Sequence, residues 1–412
     1  MRLVVATLFI FSIANLANAG TIKKDEVEYQ DQNFEHWWGG KLEWNLSELP
    51  TKGAVEDYRV PYSGHDYPDK GGGTIRAMIK YDRAFNDGLA AAAWEKEDVG
   101  DRRRLRSLEA VADRPRRRGL FRGGLFARLR SERQPSWYGH CNGWTAAAIR
   151  HAEPTKSVVR NGVRFTPADI KGLLAEIYMY CDSEFLGGED AVINPGLMHV
   201  VLSNWLGRGN YPLGMESAVG EVVINYPIYK YESKLEKISD TETEVRTTVT
   251  YRMNTGREFD SGPDYSRTMV FHYIVETTAD GVIKGGRYYR DSANIDMLWS
   301  PLKPRNAGEE GNERGNPHVD VDNILAIWRE SVSEDIRKKW LNIDPTPADA
   351  IVDEEEEESD ATAADDSEAG DAAEESEPQE SEPQESEPEE SEPQESAIES
   401  ARRRLDRGLP IR

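Results

Sequence analysis

Between Glu244 and Met253 apolar and polar residues alternate without a break. Val245, Thr247, Val249, Tyr251 and Met253 stand against Glu244, Arg246, Thr248, Thr250 and Arg252. A period of two belongs to a strand buried on one face only, which in turn needs antiparallel neighbours. Met269 to Glu276 and Gly281 to Arg290 read as those neighbours, separated by the turn signal Asp280-Gly281. Upstream the pattern is helical: Thr166-Pro167-Ala168-Asp169-Ile170 opens a helix that carries Leu173, Leu174, Ile177 and Tyr178 on one face. Helices first and sheet second predict an α+β fold, with a leading helix packed on an antiparallel sheet.

Three segments read as lying outside that fold. Residues 1–19, with Met1-Arg2, a largely apolar run from Leu3 to Leu16 and Ala17-Asn18-Ala19 before Gly20, describe a secretory signal cleaved between Ala19 and Gly20. The expectation is a secreted or periplasmic protein with no membrane span. Residues 101–133 hold 12 arginines against 4 acidic residues, and glycines interrupt their apolar positions, so they read as an exposed insert. Such an insert can be an inhibitory segment removed by trypsin-like proteases, a basic arm that engages the acidic tail or an anionic surface, or a plain flexible insert; without an accompanying reading motif, nucleic-acid binding is not expected. Residues 346–412 read as a disordered acidic tail. From Asp353 to Ser400 there are 23 acidic residues and no Lys or Arg, within them four Ser-Glu-Pro-x-Glu units, which accounts for almost all of the net charge of −24. What remains is 20–100, rich in aromatics and expected to pack over the rest, and a core at 134–345.

The chemistry concentrates in Trp137-Tyr138-Gly139-His140-Cys141-Asn142-Gly143-Trp144, followed by an alanine-rich helix. Cys141 in a first helical turn meets unpaired N–H groups and a dipole that favour thiolate, the setting of a nucleophile. The flanking glycines suggest room for a substrate backbone, and Trp137 and Trp144 suggest the walls of a groove. The alternative is a disulfide to Cys181, the second of the two cysteines; Cys181 also reads as a small buried hydrophobe.

A thiol nucleophile calls for a base. Beyond Asn194-Pro195 the pattern changes to strands, and of the seven histidines His199 stands in the uncharged, apolar run Asn194 to Leu202 that enters there after a Pro-Gly turn, where a titratable ring must face a partner. His272, mid-strand on the side of Val270 and Ile274, is the alternative base. Asn225, a polar residue closing the apolar strand Val222-Val223-Ile224 before Tyr226-Pro227, is the candidate to orient the imidazole, with Asp182 and Asp190 as alternatives. The Cys141 N–H is the first oxyanion donor by position and Gln134 a candidate second. This chemistry requires no metal and no cofactor.

With these residues go Ser63-Gly64, Tyr67-Pro68, Gly71-Gly72-Gly73, Lys80-Tyr81-Asp82, Trp94-Glu95, Asn194-Pro195-Gly196, Val223 to Ile228, Gly285-Gly286 and Asp296-Met297-Leu298-Trp299. In this order, across roughly Tyr58 to Pro301, the chain resembles the transglutaminase elicitor family. Ile224 departs from the family's elicitor peptide, which has Trp there, and the Arg run is an insertion. The resemblance implies a papain-like, transglutaminase-like thiol enzyme fold and γ-glutamyl transfer, with Cys141 as nucleophile and His199 as base. The implied partners are a protein glutamine donor and a lysine or polyamine acceptor. A cysteine peptidase or glutamine deamidase would use the same residues with water as acceptor, and a non-catalytic secreted binding protein is the reading in which both cysteines are structural.

Overall fold

The computed structural model describes residues 17–101, 105–106, 137–188, 192–220 and 222–340. Most of the signal sequence, most of the Arg-rich insert, Gln134, Asp190 and the acidic tail lie outside the described residues.

The helices are α1 (Lys24–Trp38), α2 (Ile75–Phe85), α3 (Ala90–Asp98), α4 (Cys141–Arg150), α5 (Pro167–Tyr178), α6 (Pro195–Val201), α7 (Val321–Ser331) and α8 (Glu334–Lys339). The strands are β1 (Ala17–Thr21), β2 (Lys52–Ala54), β3 (Val158–Arg160), β4 (Val163–Phe165), β5 (Ser183–Phe185), β6 (Leu213–Glu216), β7 (Asn225–Lys237), β8 (Glu242–Arg252), β9 (Ser266–Thr277), β10 (Ile283–Tyr288) and β11 (Met297–Pro301). One antiparallel sheet runs β1-β10-β9-β8-β7-β6-β11-β5, with β2 also on β7, and β3-β4 is a separate hairpin.

The alternating segment forms β8, where Val245 and Val249 are fully buried and Arg246 is exposed. The expected following strands are β9 and β10, joined through Gly281 at φ +87°, the left-handed conformation a tight turn uses. Helices do not simply precede the sheet: β1, β2 and β5 come from the first half of the chain, β1 and β5 forming the ends of the strand order and β2 pairing with β7. The predicted signal cleavage point falls inside β1, and the pairs Gly20–Gly286 and Thr21–Gly285 lie on its mature side.

Helix α5 begins as its sequence predicts. Thr166 accepts from the Asp169 N–H while Asp169 accepts from the Thr166 N–H, a reciprocal cap. It is buried all round rather than along one stripe, as a helix in the middle of a packed layer must be. Between Asn194 and Leu202 the apolar run is helix α6, not strand: Asn194 caps it from the Gly196 N–H, Pro195 occupies its first turn, and a π-helical turn, Leu202–Arg208, continues it.

Helix α4 lies where two cores meet. Ala146 and Ala147 face the helical core with Leu173, Leu174 and Ile324, whereas Ile149 faces the sheet core with Val200, Val245 and Phe271. Burying a side chain such as Ile149 contributes roughly 1.5–3 kcal/mol, so this placement fixes the helix that begins with Cys141. Two motif glycines serve the same packing. A Cβ on Gly143 would lie 2.2 Å from the Ala175 carbonyl oxygen, and one on Gly64 would lie 2.1 Å from the Trp144 indole.

Candidate functional site

Cys141 is the first residue of α4, and its backbone N–H belongs to the helix-start groups without an intrahelical acceptor. Its Sγ lies 3.7 Å from Asn225 Nδ2, which donates to it, and 3.8 Å from the Val223 carbonyl oxygen. Asn225 Oδ1 accepts from Trp299 Nε1 at 2.9 Å, which aims the amide at the sulfur. The antiparallel pairing β11-β6-β7 brings these residues together, with Glu216 opposite both Asn225 and Met297.

These side chains border a cavity of about 370 Å³. Cys141, Glu216, Asn225 and Trp299 belong to its lining, as do Trp137, Tyr180 and Cys181. Charged residues are Asp69, Asp98, Asp182 and Arg314, so acidic groups predominate. Tyr180 Oη donates to Asp98 Oδ2 at 2.6 Å, and the Arg314 guanidinium stands 5.0 Å from the Tyr180 ring centre. Both cysteines are free thiols, so the disulfide alternative is not formed.

Burial pushes the Cys141 thiol above its ordinary value, and hydrogen bonds from Asn225 only partly oppose this. The thiolate expected at a helix start is therefore a thiol at rest. Glu216 is fully buried, both carboxylate oxygens lack a hydrogen-bond partner, and burial followed by the neighbouring Asp296 pushes it up to about 9. It is a neutral carboxylic acid at pH 7. Burial likewise raises Asp69 to about 6.

The expected Cys141–His199 pair is not formed. On α6 the His199 ring faces the sheet core, where Nδ1 is 2.8 Å from Tyr273 Oη, and Tyr273 in turn bonds Thr247 at 2.7 Å. Burial lowers His199 to about 4, so it is a neutral core histidine outside the cavity lining. His272 occupies the face of β9 opposite Phe271 and Tyr273, held by Asp291 at 2.7 Å and Glu244 at 2.9 Å and stacked on Tyr289. It too is outside the cavity.

Asn225 reaches Cys141 but orients no imidazole, because its amide is shared between Trp299 and the sulfur. It opens β7 rather than closing the apolar strand before it. Trp137 lines the cavity as expected, whereas Trp144 is 1 % exposed and packs edge-on against Tyr226 in a small cluster with Tyr62 and Tyr67. The glycines flanking the nucleophile make room for protein backbone, Gly139 against Asp66 and Pro68, rather than for substrate. Sequence reasoning missed Glu216, whose one signal is a carboxylate closing the apolar run Tyr211-Pro212-Leu213-Gly214-Met215.

Among the described residues no helix is long and apolar enough to cross a membrane. No curated protein matches the chain. The crystal structure of the GP42 transglutaminase from Phytophthora sojae is similar in fold, with a TM-score of 0.56 and 20% identity over 76% of this chain and 99% of that one. The transglutaminase elicitor family model matches residues 129–186, which include Cys141 and α5. Over that segment, which carries the cavity cysteine, the chain is similar to the transglutaminase elicitor family.

Proposed function

We propose that the chain is a secreted protein-glutamine γ-glutamyltransferase, cleaved after Ala19, that joins glutamine to lysine or polyamine amines through a Cys141 thioester. The observation that carries this reading is the free Cys141 thiol at a helix start, facing a cavity whose charged lining is mainly acidic. An acidic lining favours a cationic amine over water as acceptor, which separates this reading from a peptidase or deamidase.

In the proposed cycle the Cys141 sulfur attacks a glutamine carboxamide. A carbon–sulfur bond forms, the carbon–nitrogen bond breaks, and the nitrogen takes up one proton and leaves as ammonia. The Cys141 N–H and Asn225 Nδ2 take the oxyanion-donor role sought in Gln134. Glu216, as a neutral acid, gives a proton to the leaving nitrogen and accepts the thiol proton on its other oxygen, so no net charge is created in the buried site. The acceptor ammonium gives one proton to solvent on entering and attacks the thioester as a neutral amine; the carbon–nitrogen bond of the isopeptide forms, the carbon–sulfur bond breaks, and the second amine proton returns to sulfur as the thiol.

The test is incubation of purified protein with a glutamine peptide, with and without a primary amine, following ammonia and product mass. Amine incorporation lost in a folded Cys141→Ala variant is the expected result. Incorporation retained by that variant refutes the nucleophile, and glutamate or cleaved peptide as the sole product refutes amine transfer.

A further inference from the structure

Behind the nucleophile helix a second polar cluster is closed to solvent. Glu95 of α3 and His140 at the cap of α4 are 0% and 1% exposed, and Glu176 of α5 is also buried. His140 Nε2 lies 3.4 Å from Glu95 Oε1 and 3.3 Å from Glu176 Oε2, yet neither ring nitrogen makes a hydrogen bond, nor does Glu95 Oε2. One donor atom from each residue falls within 4.8 Å of the others. We propose that Glu95, His140 and Glu176 form a buried divalent-cation site, suited to zinc, that ties α3 and α5 to the start of α4.

The spacing fits. Tetrahedral zinc with bonds of about 2.0–2.1 Å to nitrogen and oxygen separates its ligands by about 3.3 Å. The donor set of an imidazole and carboxylates suits zinc, whereas calcium and magnesium call for about six or more oxygens. Charge fits as well: neutral His140, two carboxylates and a divalent cation sum to zero in a place where unpaired charge is costly.

The surroundings support the same ligands. The Thr74 N–H donates to Glu95 Oε1 at 2.7 Å, the Thr74 hydroxyl donates to Glu176 Oε2, and Asn316 Nδ2 donates to Glu176 Oε1 at 3.3 Å. Such outer hydrogen bonds fix ligand orientation in metal sites. Gly73, at φ +50°, keeps the space open, since a Cβ there would lie 2.1 Å from Glu95 Oε1 and 3.1 Å from His140 Cε1. The competing occupant is a proton, which would leave a His140 imidazolium between a carboxylate and a carboxylic acid.

The site is independent of the acyl-transfer reading, and its test uses no activity. Tag-free full-length protein is dialysed against zinc and then against metal-free buffer, and its zinc content and zinc-edge X-ray absorption are measured beside those of Glu95→Gln and His140→Ala. About one zinc per chain, bound only by nitrogen and oxygen, and a loss of that zinc in Glu95→Gln are expected. Zinc retained equally by Glu95→Gln assigns it to the acidic tail and overturns the site, as does sulfur ligation, which would assign it to the cysteines. If neither variant folds, wild-type content and ligation decide: no retained zinc means the proton-held triad.

Discussion

Replacing Glu216 by Gln keeps the shape of a buried side chain but removes its ability to exchange a proton. In the folded protein the carboxyl is pushed from 4.5 up to about 9, by burial first and Asp296 second. The folded state therefore holds this proton between those values while the unfolded chain has released it. Stability from this group is complete below about pH 4.5 and is lost progressively as pH rises through about 9. The slope approaches 1.4 kcal/mol per pH unit, so between pH 6 and 8 wild type should lose up to about 2.7 kcal/mol relative to Glu216→Gln. Guanidinium unfolding of both proteins at the two pH values gives this as a difference of differences, which cancels every other titrating group. Equal pH dependence in the two proteins would refute the neutral-acid assignment. In the acyl-transfer assay the same variant should lose about 10²–10⁴ in kcat, and unchanged turnover would remove Glu216 from the proton path.

Other perturbations test the remaining assignments. Denaturing the unreduced protein in an alkylating agent should modify both Cys141 and Cys181, and a disulfide-linked peptide in the digest would contradict the free thiols. His199→Gln should leave amine incorporation intact while costing about 1–3 kcal/mol through the Tyr273 hydrogen bond. Because burial lowers His199 to about 4, its contribution to stability is present above pH 6.5 and lost as pH falls towards 4, a decline the variant should lack in urea unfolding. Gly143→Ala should destabilise by about 3 kcal/mol, since its Cβ meets the Ala175 carbonyl oxygen at 2.2 Å, and a calorimetric melt at the wild-type temperature would remove the packing role given to this glycine.

Local rules made β8, β9, the Gly281 turn, the capped start of α5 and the helix at Cys141 legible in the sequence, because each is decided by residues a few positions apart. The run Asn194 to Leu202 was ambiguous for a physical reason: an apolar segment of that length can be a buried strand or a buried helix, and periodicity does not separate them. The error carried His199 with it, since a ring expected at the nucleophile instead faces Tyr273. Asn225 was found for its polarity beside an apolar strand, but its role depends on Trp299, which stands 74 positions away and reaches it only when β11 and β7 both pair with β6. Glu216 was hidden by the same long-range pairing. Trp144 and the flanking glycines looked like a substrate groove, yet satisfy packing demands from Gly64 and Ala175 that no local pattern displays.

The acidic lining offers a test of acceptor choice distinct from the chemistry at sulfur. An ammonium entering past Asp98 is attracted by about 1 kcal/mol or more at a separation near 4 Å, depending on how much water remains, which corresponds to roughly fivefold or more in binding. Asp98→Asn removes that charge while its amide oxygen can still accept from Tyr180 Oη, as the carboxylate does now at 2.6 Å. For a cationic amine such as a lysine side chain, KM should rise severalfold at low salt and the difference from wild type should shrink as salt screens it. For hydroxylamine, which is uncharged at neutral pH, KM should not change. Rises of equal size for both nucleophiles would mean that Asp98 acts through the position of Tyr180 rather than through its charge, and the preference for amine over water would then need another source.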